Sequence, residues 1–168
     1  MLRRGALVIC CGIFAACTDE PATETAADAA PTPAAAPAEQ APSAAPPTLP
    51  RTAAPADAMV YIVSPTDGES ITSPVRVVFG LQGAGVAPAG FEMPATGHHH
   101  VLVDTGLANM GLPIPADEQH IHFGGGQTEA VLELSPGTHT LQLVLGDHLH
   151  IPHDPPLMSE VVTVEVQP

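Results

Sequence analysis

The sequence lacks lysine and tryptophan, and it has one tyrosine and four phenylalanines among 168 residues. With so few aromatic residues, any hydrophobic core must be built mainly from aliphatic side chains. The four basic residues, all arginine, stand against 18 acidic ones, for a formal net charge of −14. Nucleic-acid binding needs clustered basic residues to neutralise phosphates, so we expect no nucleic-acid partner. An acidic surface would instead attract cations diffusely.

Cysteine is also scarce, and all three cysteines lie in the first 17 residues. Two arginines precede an apolar run over residues 5–16, which is too short to span a bilayer as a permanent helix. The run therefore predicts a cleaved secretory signal peptide, residues 1–17. It ends in Phe14-Ala15-Ala16-Cys17, which resembles the bacterial lipobox except that leucine is usual in place of Phe14. The resemblance implies a lipid on Cys17; the alternative is ordinary cleavage at an Ala-x-Ala-like site.

The predicted processing has consequences for location and stability. Thr18 rather than aspartate follows the cysteine, and the resemblance to lipoproteins then implies sorting to the outer membrane. We expect a protein of the cell envelope, on the periplasmic face, attached to the membrane by the lipid on Cys17. Such a chain has no disulfide, although its compartment is oxidising. Its domain must be stabilised by burial alone, or by burial and a bound metal.

Residues 18–58 consist mostly of alanine and proline, which account for 16 and 9 of the 41 residues. Proline interrupts helices, and the segment has no periodic apolar face that could form a core. We therefore expect a disordered tether between the signal peptide and one domain, residues 59–168. At ~3.1 Å per residue, an extended tether would reach on the order of 100 Å.

Residues 59–168 are rich in β-branched residues and are punctuated by turn residues, a pattern typical of short strands. Apolar and polar positions alternate; in residues 75–81, for example, every odd position is apolar. No segment has a helical period. The pattern predicts an all-β fold, a small Ig-like β-sandwich of about seven strands, with a long loop over 81–97. The predicted strands are 60–63, 75–81, 99–104, 120–123, 130–134, 139–145 and 161–166.

Histidines are concentrated in this domain, where all nine lie between positions 98 and 153. Residues i and i+2 of a strand project to one face roughly 6.5–7 Å apart. Two imidazoles at this spacing can converge on one metal ion. Three pairs have the spacing: His98 with His100, His120 with His122, and His148 with His150.

The residues next to the first pair predict its direction. Val101 and Val103 suit the core, which turns His99 inward and places His98 and His100 together on the opposite face.

The second and third groups are expected to reach the same site. Ile121 suits the core, so His120 and His122 point away from it. Prolines place the third group in a loop, from which His150 and His153 can approach. His139, at the start of a strand, is expected to be structural. The candidate metal ligands are therefore His98, His100, His120, His122, His150 and His153.

Imidazole ligands suit zinc, copper, iron and nickel, and affinity ranks Cu(II) highest. Met93, Met110 and Met158 could add a soft ligand, although packing roles suit them better. We expect a metal-binding module that holds copper, with zinc as the alternative.

Two other functions remain open. A metalloenzyme would leave a coordination position open for water, with Glu129 or Asp147 as acid–base candidates. The sequence has no recognisable catalytic signature, which favours the binding module. A structural or pH-responsive envelope module without metal would instead use the histidines as a hydrogen-bonded cluster, or as groups that titrate near ~6.5.

Four sequence blocks together resemble those of an exported bacterial family of domains of unknown function. They are GHHH at 97–100, HIHFGGGQTE at 120–129, HTLQL at 139–143 and PHDPP at 152–156. The resemblance covers roughly residues 59–168 and implies no activity. It implies that the family pattern includes His98, His99, His100, His122, His150 and His153, but not His148.

Overall fold

The computed structural model of the chain describes residues 49–168. The predicted signal peptide, Cys17 and the predicted tether up to residue 48 lie outside the described residues. Residues 49–168 form nine strands and no helix, so the predicted all-β fold is confirmed. The strands are β1 (Met59–Ser64), β2 (Glu69–Thr72), β3 (Val75–Gln82), β4 (Gly85–Val86), β5 (Thr96–Val103), β6 (His120–Phe123), β7 (Glu129–Leu132), β8 (Gly137–Gly146) and β9 (Val162–Gln167).

Seven of these strands correspond to the seven predicted ones, with ends that differ by a few residues. The two others, β2 and β4, are short. β2 has four residues and pairs in parallel with β9, a distant partner that the local sequence does not reveal. β4 has two residues, too few for alternation, and lies within the predicted loop over 81–97.

The strands pack as a β-sandwich of two sheets. The smaller sheet has the order β1-β3-β7, and the larger has the order β2-β9-β8-β5-β4, with β6 also paired to β5. β8 flanks one edge of β5, while β4 and β6 share the other edge. β5 is therefore an interior strand of the larger sheet, and its residues 97–103 are all buried.

The main core lies between the two sheets and is largely aliphatic. Alternate residues of the facing strands build it, including Val77 and Phe79 of β3 and Val101 and Val103 of β5. The next residue of each strand then points to the outer face of its sheet. As the neighbouring valines predict, His98 and His100 are on the outer face of the larger sheet and His99 is on the inner face.

The outer face of the larger sheet has a second apolar cluster. Leu102 of β5, Val144 of β8 and Ile114 of the connection between β5 and β6 are at most 5% exposed. Leu107 and Met158 pack against them. The connection thus covers the sheet beside the outward histidines, which explains why β5 is buried on both faces.

No helix in the described part of the chain is long and apolar enough to cross a membrane.

Candidate metal centre

β5 brings two imidazoles together on the outer face of the larger sheet. His98 and His100 are both fully buried, and their Nε2 atoms lie 3.1 Å apart. Two imidazole nitrogens that bind one metal ion tetrahedrally at ~2.0–2.1 Å are about 3.3 Å apart. The separation of the two rings is therefore close to that of two ligands on one ion.

β6 adds a third imidazole through its register with β5. His122 lies directly opposite His100 in the antiparallel ladder, so both side chains project from the same face. The ring centroid of His122 is 5.0 Å from that of His98 and 5.0 Å from that of His100. One ligand atom from each of the three residues lies within 4.8 Å of the others. This three-histidine group could hold a metal ion, and exposed His122 faces solvent.

The turn that follows β8 brings a fourth imidazole to the group. The ring centroid of His150 is 4.9 Å from that of His98, 4.8 Å from that of His122 and 5.9 Å from that of His100. The backbone of His150 is left-handed, with a φ of 67°, which is unusual for a residue other than glycine. We refer to His98, His100, His122 and His150 as the histidine cluster.

Two glycines leave the space that the rings occupy. Gly146 lies opposite His98 in the ladder between β5 and β8, and a Cβ there would be 3.1 Å from Nε2 of His100. A Cβ at Gly124 would be 2.5 Å from Nε2 of His122. The cluster thus depends on backbone that approaches the ring nitrogens more closely than a side chain would allow.

Burial favours the neutral state of His98 and His100. It lowers the pKa of His98 to about 4 and that of His100 to about 2, and repulsion by neighbouring imidazoles adds to both shifts. Partial desolvation and the nearby His150 lower the pKa of His122, although that ring is exposed. The Asp147 carboxylate opposes the shift at His98. At neutral pH these imidazoles are neutral, so a metal ion need not displace a proton from a protonated ring.

The other two predicted ligands lie elsewhere. Nδ1 of His120 is 2.8 Å from a carboxylate oxygen of Asp117. His153 is fully buried, and its Nδ1–H donates to the Leu145 carbonyl at 3.2 Å. The ring of His153 lies on the inner side of β5. A Cβ built at Gly97 would point to that side and would be 3.1 Å from Cε1 of His153. Of the six candidates, the structure brings together His98, His100, His122 and His150.

His99, His139 and the proposed acids have other partners. The ring of His99 packs against that of Phe79, with centroids 5.1 Å apart. His139 contacts the Asp104 carboxylate through Nδ1, at 2.7 Å. Glu129 begins β7 in the smaller sheet and forms an ion pair with Arg76.

Two residues of the site differ from what the sequence predicts. Gly146 was not a candidate, and Asp147 has a role other than the predicted one. Gly146 lies two residues after Val144 in β8 and therefore on the same face of the sheet. Its position opposite His98 could be inferred only once the register of β8 on β5 is known. Asp147 was a candidate acid or base, but its carboxylate accepts hydrogen bonds from Thr52 and from the backbone N–H groups of Leu149 and Ile151.

The fold and the cluster define a single β-sandwich domain with converging histidines on one sheet face. The family described as Domain of unknown function (DUF4399) matches residues 77–167, from within β3 to the end of β9. The chain belongs to this family, so the predicted resemblance to a family of domains of unknown function is confirmed. Neither the curated proteins nor the solved structures contain a significant match to the chain. The description of the family names no activity.

Proposed function

We propose that this chain is a metal-binding module of the cell envelope that holds one transition-metal ion, preferably copper, through His98, His100 and His122. The 3.1 Å separation between Nε2 of His98 and Nε2 of His100 carries the proposal, because neutral imidazoles so placed match two ligands of one ion. His122 completes the group, and His150 borders it.

The ligand types support copper. The described residues contain no cysteine, so no thiolate is available to favour a softer site, and all ligands are imidazoles. For nitrogen ligands of this kind, affinity rises along the divalent series to a maximum at Cu(II) and then falls at zinc. Zinc is therefore the second choice.

Burial of partly unsatisfied rings argues against a purely stabilising role of the cluster. The Nε2 atoms of His98 and His100 lie within hydrogen-bond distance of each other, whereas Nδ1 of each ring is buried without a hydrogen-bond partner within residues 49–168. A buried polar atom without a partner costs about 1–3 kcal/mol, so the two rings do not serve stability alone. Metal bound at Nε2 leaves these Nδ1 atoms without a partner, so the ligand role rests on the spacing of the Nε2 atoms.

The positions of the acidic candidates favour binding over catalysis. Glu129 lies in the smaller sheet and is paired with Arg76. The Asp147 carboxylate already accepts three hydrogen bonds. Neither acid is therefore free beside the cluster to move a proton to or from a metal-bound water.

Metal binding is tested on the full chain, purified without a polyhistidine tag. Elemental analysis and titration with Cu(II) and Zn(II) should give one ion per chain, with copper displacing zinc. The double variant His98→Ala/His100→Ala should lose the ion, whereas His120→Ala, a histidine outside the cluster, should keep it. Absence of binding, or equal affinity in both variants, would contradict the proposal.

The envelope location is proposed from the sequence alone, through the lipobox-like residues that end at Cys17. Cell fractionation tests it. The chain should co-sediment with the outer membrane, and Cys17→Ser should release it in soluble form. A Cys17→Ser variant that still sediments with membranes would argue against the lipid anchor.

A further inference from the structure

The first described residues of the chain contact the loop that carries the third histidine group. We call residues 49–54 the strap. Arg51 Nε donates to the Pro152 carbonyl at 3.0 Å, and Arg51 Nη1 lies 3.1 Å from a carboxylate oxygen of Asp154. The Ala54 N–H donates to the Asp154 carbonyl, and the Asp154 N–H donates to the Thr52 carbonyl, both at 2.8 Å. The strap lies before the part of the chain that matches the family.

Thr52 extends these contacts to a buried carboxylate at the centre of the turn. Asp147 is 2% exposed, and one of its oxygens accepts the Thr52 hydroxyl hydrogen at 2.7 Å. Its other oxygen accepts the N–H groups of Leu149 and Ile151, at 2.9 and 3.0 Å. The Asp147 backbone closes the same turn, because its N–H donates to Ile151 and its carbonyl accepts the His150 N–H, both at 2.9 Å.

This turn determines where the fourth imidazole lies. His150 is held in the left-handed backbone region, which a non-glycine residue keeps only where its surroundings enforce it. Ile151, the next residue, is fully buried and anchors the end of the turn. The ring of His150 then lies within 4.9 Å, centroid to centroid, of both His98 and His122.

We propose that Asp147 is a positioning residue of the metal centre, and that with Thr52 of the strap it fixes His150 as the fourth ligand. Docking of the strap and occupancy of the metal site are then coupled. Because such coupling is reciprocal, bound metal also makes opening of the strap less favourable. The inference rests on the proposed metal-binding function and adds a ligand and a means of control to that site.

The test is a double-mutant cycle on the full chain, read out as Cu(II) affinity. Asp147→Ala should weaken binding about 10–100-fold, the usual cost of losing an outer partner of a ligand, and His150→Ala, which removes the ligand itself, should weaken it at least as much. The double variant should be no weaker than His150→Ala alone. If Asp147→Ala instead weakens binding by the same factor in both backgrounds, it does not act through His150, and the proposal is overturned.

A milder variant covers the case in which Asp147→Ala does not fold. Thr52→Val removes only the hydroxyl and should weaken binding by up to about tenfold. Thr138→Val is its matched control, because Thr138 donates a similar hydrogen bond to Glu165 at 2.7 Å, far along β8 from the cluster. Equal affinities in the two threonine variants would overturn the role of the strap.

Spectroscopy separates positioning from general stability. The Cu(II) electron paramagnetic resonance spectrum should lose one coupled nitrogen in His150→Ala and in Asp147→Ala, but none in Thr138→Val. Hydrogen exchange at the amides of Ala54 and Asp154 should slow when Cu(II) binds. If metal leaves these amides unchanged, the coupling is absent. If the double variant His98→Ala/His100→Ala loses the metal but Asp147→Ala has no effect, this inference alone is overturned. A wild-type chain that binds no metal overturns the proposed function.

Discussion

The two ends of β5 each lie beside histidines, and the two environments shift the histidine pKa values in opposite directions. At the start of the strand, His98 and His100 are fully buried, and in the described part of the chain no carboxylate accepts a hydrogen bond from their rings. Just past its end, Asp104 lies 2.7 Å from Nδ1 of His139. Burial lowers the pKa values of the first pair, whereas the hydrogen bond to Asp104 raises that of His139.

This difference separates a ligand from a structural histidine in physical terms. Both ring nitrogens of His139 have acceptors, because Nε2 is also 2.9 Å from the Ser135 carbonyl. An imidazole with an acceptor at each nitrogen is most stable when both nitrogens carry protons. The protonated ring has no lone pair with which to bind a metal. The buried rings at the start of β5 favour the neutral state, which keeps a lone pair available on each ring.

The largest difference between the two ends should appear in metal affinity. His100→Ala removes a buried ligand and should weaken Cu(II) binding by at least about a hundredfold, since outer partners of ligands alone are worth 10–100-fold. His139→Ala should leave the affinity unchanged. Calorimetric titration of the two variants measures both effects. Similar losses in the two would mean that the ends of β5 do not differ as their environments indicate.

The two ends should also respond to pH in opposite directions in the metal-free chain. The folded-state pKa of His98 is lowered from 6.5 to about 4, so its contribution to stability is present above pH 6.5 and is lost as the pH falls toward 4. The loss is on the order of 3 kcal/mol from this residue, at ~1.4 kcal/mol per pKa unit. His139 has a raised pKa, so its contribution is complete below pH 6.5 and is lost as the pH rises through the folded-state value.

Denaturant unfolding from pH 4 to pH 9 measures both limbs. We expect maximal stability near neutral pH and a steep loss on the acid side. His98→Gln should reduce the acid limb, to which His100 also contributes through its lowered pKa, and His139→Gln should flatten only the alkaline limb. An acid limb that His98→Gln leaves intact would show that other groups determine the acid sensitivity.

The direction of the histidines at the start of β5 could be predicted from the sequence because successive side chains of a strand point to alternate faces of the sheet. Val101 and Val103 identify the inner face, and the outward direction of His98 and His100 follows from them. The fold class follows from the short β-branched segments that turn residues separate, several of which alternate in this way. The two-residue β4 and the parallel pairing of β2 with β9 have no local signature, because pairing between distant segments is not encoded in either one alone.

Convergence of separate segments was harder to predict than direction within one strand. His120 and His122 have the same spacing and face, yet the register places His122 opposite His100 and His120 one step further, opposite Leu102. The loop likewise sends His150 to the outer face and His153 to the inner side of β5. The hydrogen bonds of Asp147, which the sequence alone does not reveal, determine the shape of that turn.

A smaller effect should follow from filling the space beside the cluster. Gly146→Ala places a methyl group 3.1 Å from Nε2 of His100, so the ring must shift by a few tenths of an ångström. We expect roughly tenfold weaker Cu(II) binding, comparable to the loss of an outer partner of a ligand. Gly106→Ala is the matched control, because a Cβ there meets nothing within 4 Å. Equal affinities in the two variants would mean that the space at Gly146 is not needed by the site.

The smallest expected effect belongs to the charge at the other end of β5. The Asp104 carboxylate contacts His139 and accepts the Thr140 N–H at 2.7 Å, while its own backbone is left-handed, with a φ of 54°. Asparagine tolerates this conformation and keeps one acceptor oxygen but loses the charge. Because the Asp104 side chain is 40% exposed, solvent screening leaves a cost of only about 1 kcal/mol in the free energy of unfolding for Asp104→Asn. The loss should disappear above the raised pKa of His139, where the ring is neutral; a loss that does not depend on pH would assign the effect to the turn rather than to the ion pair.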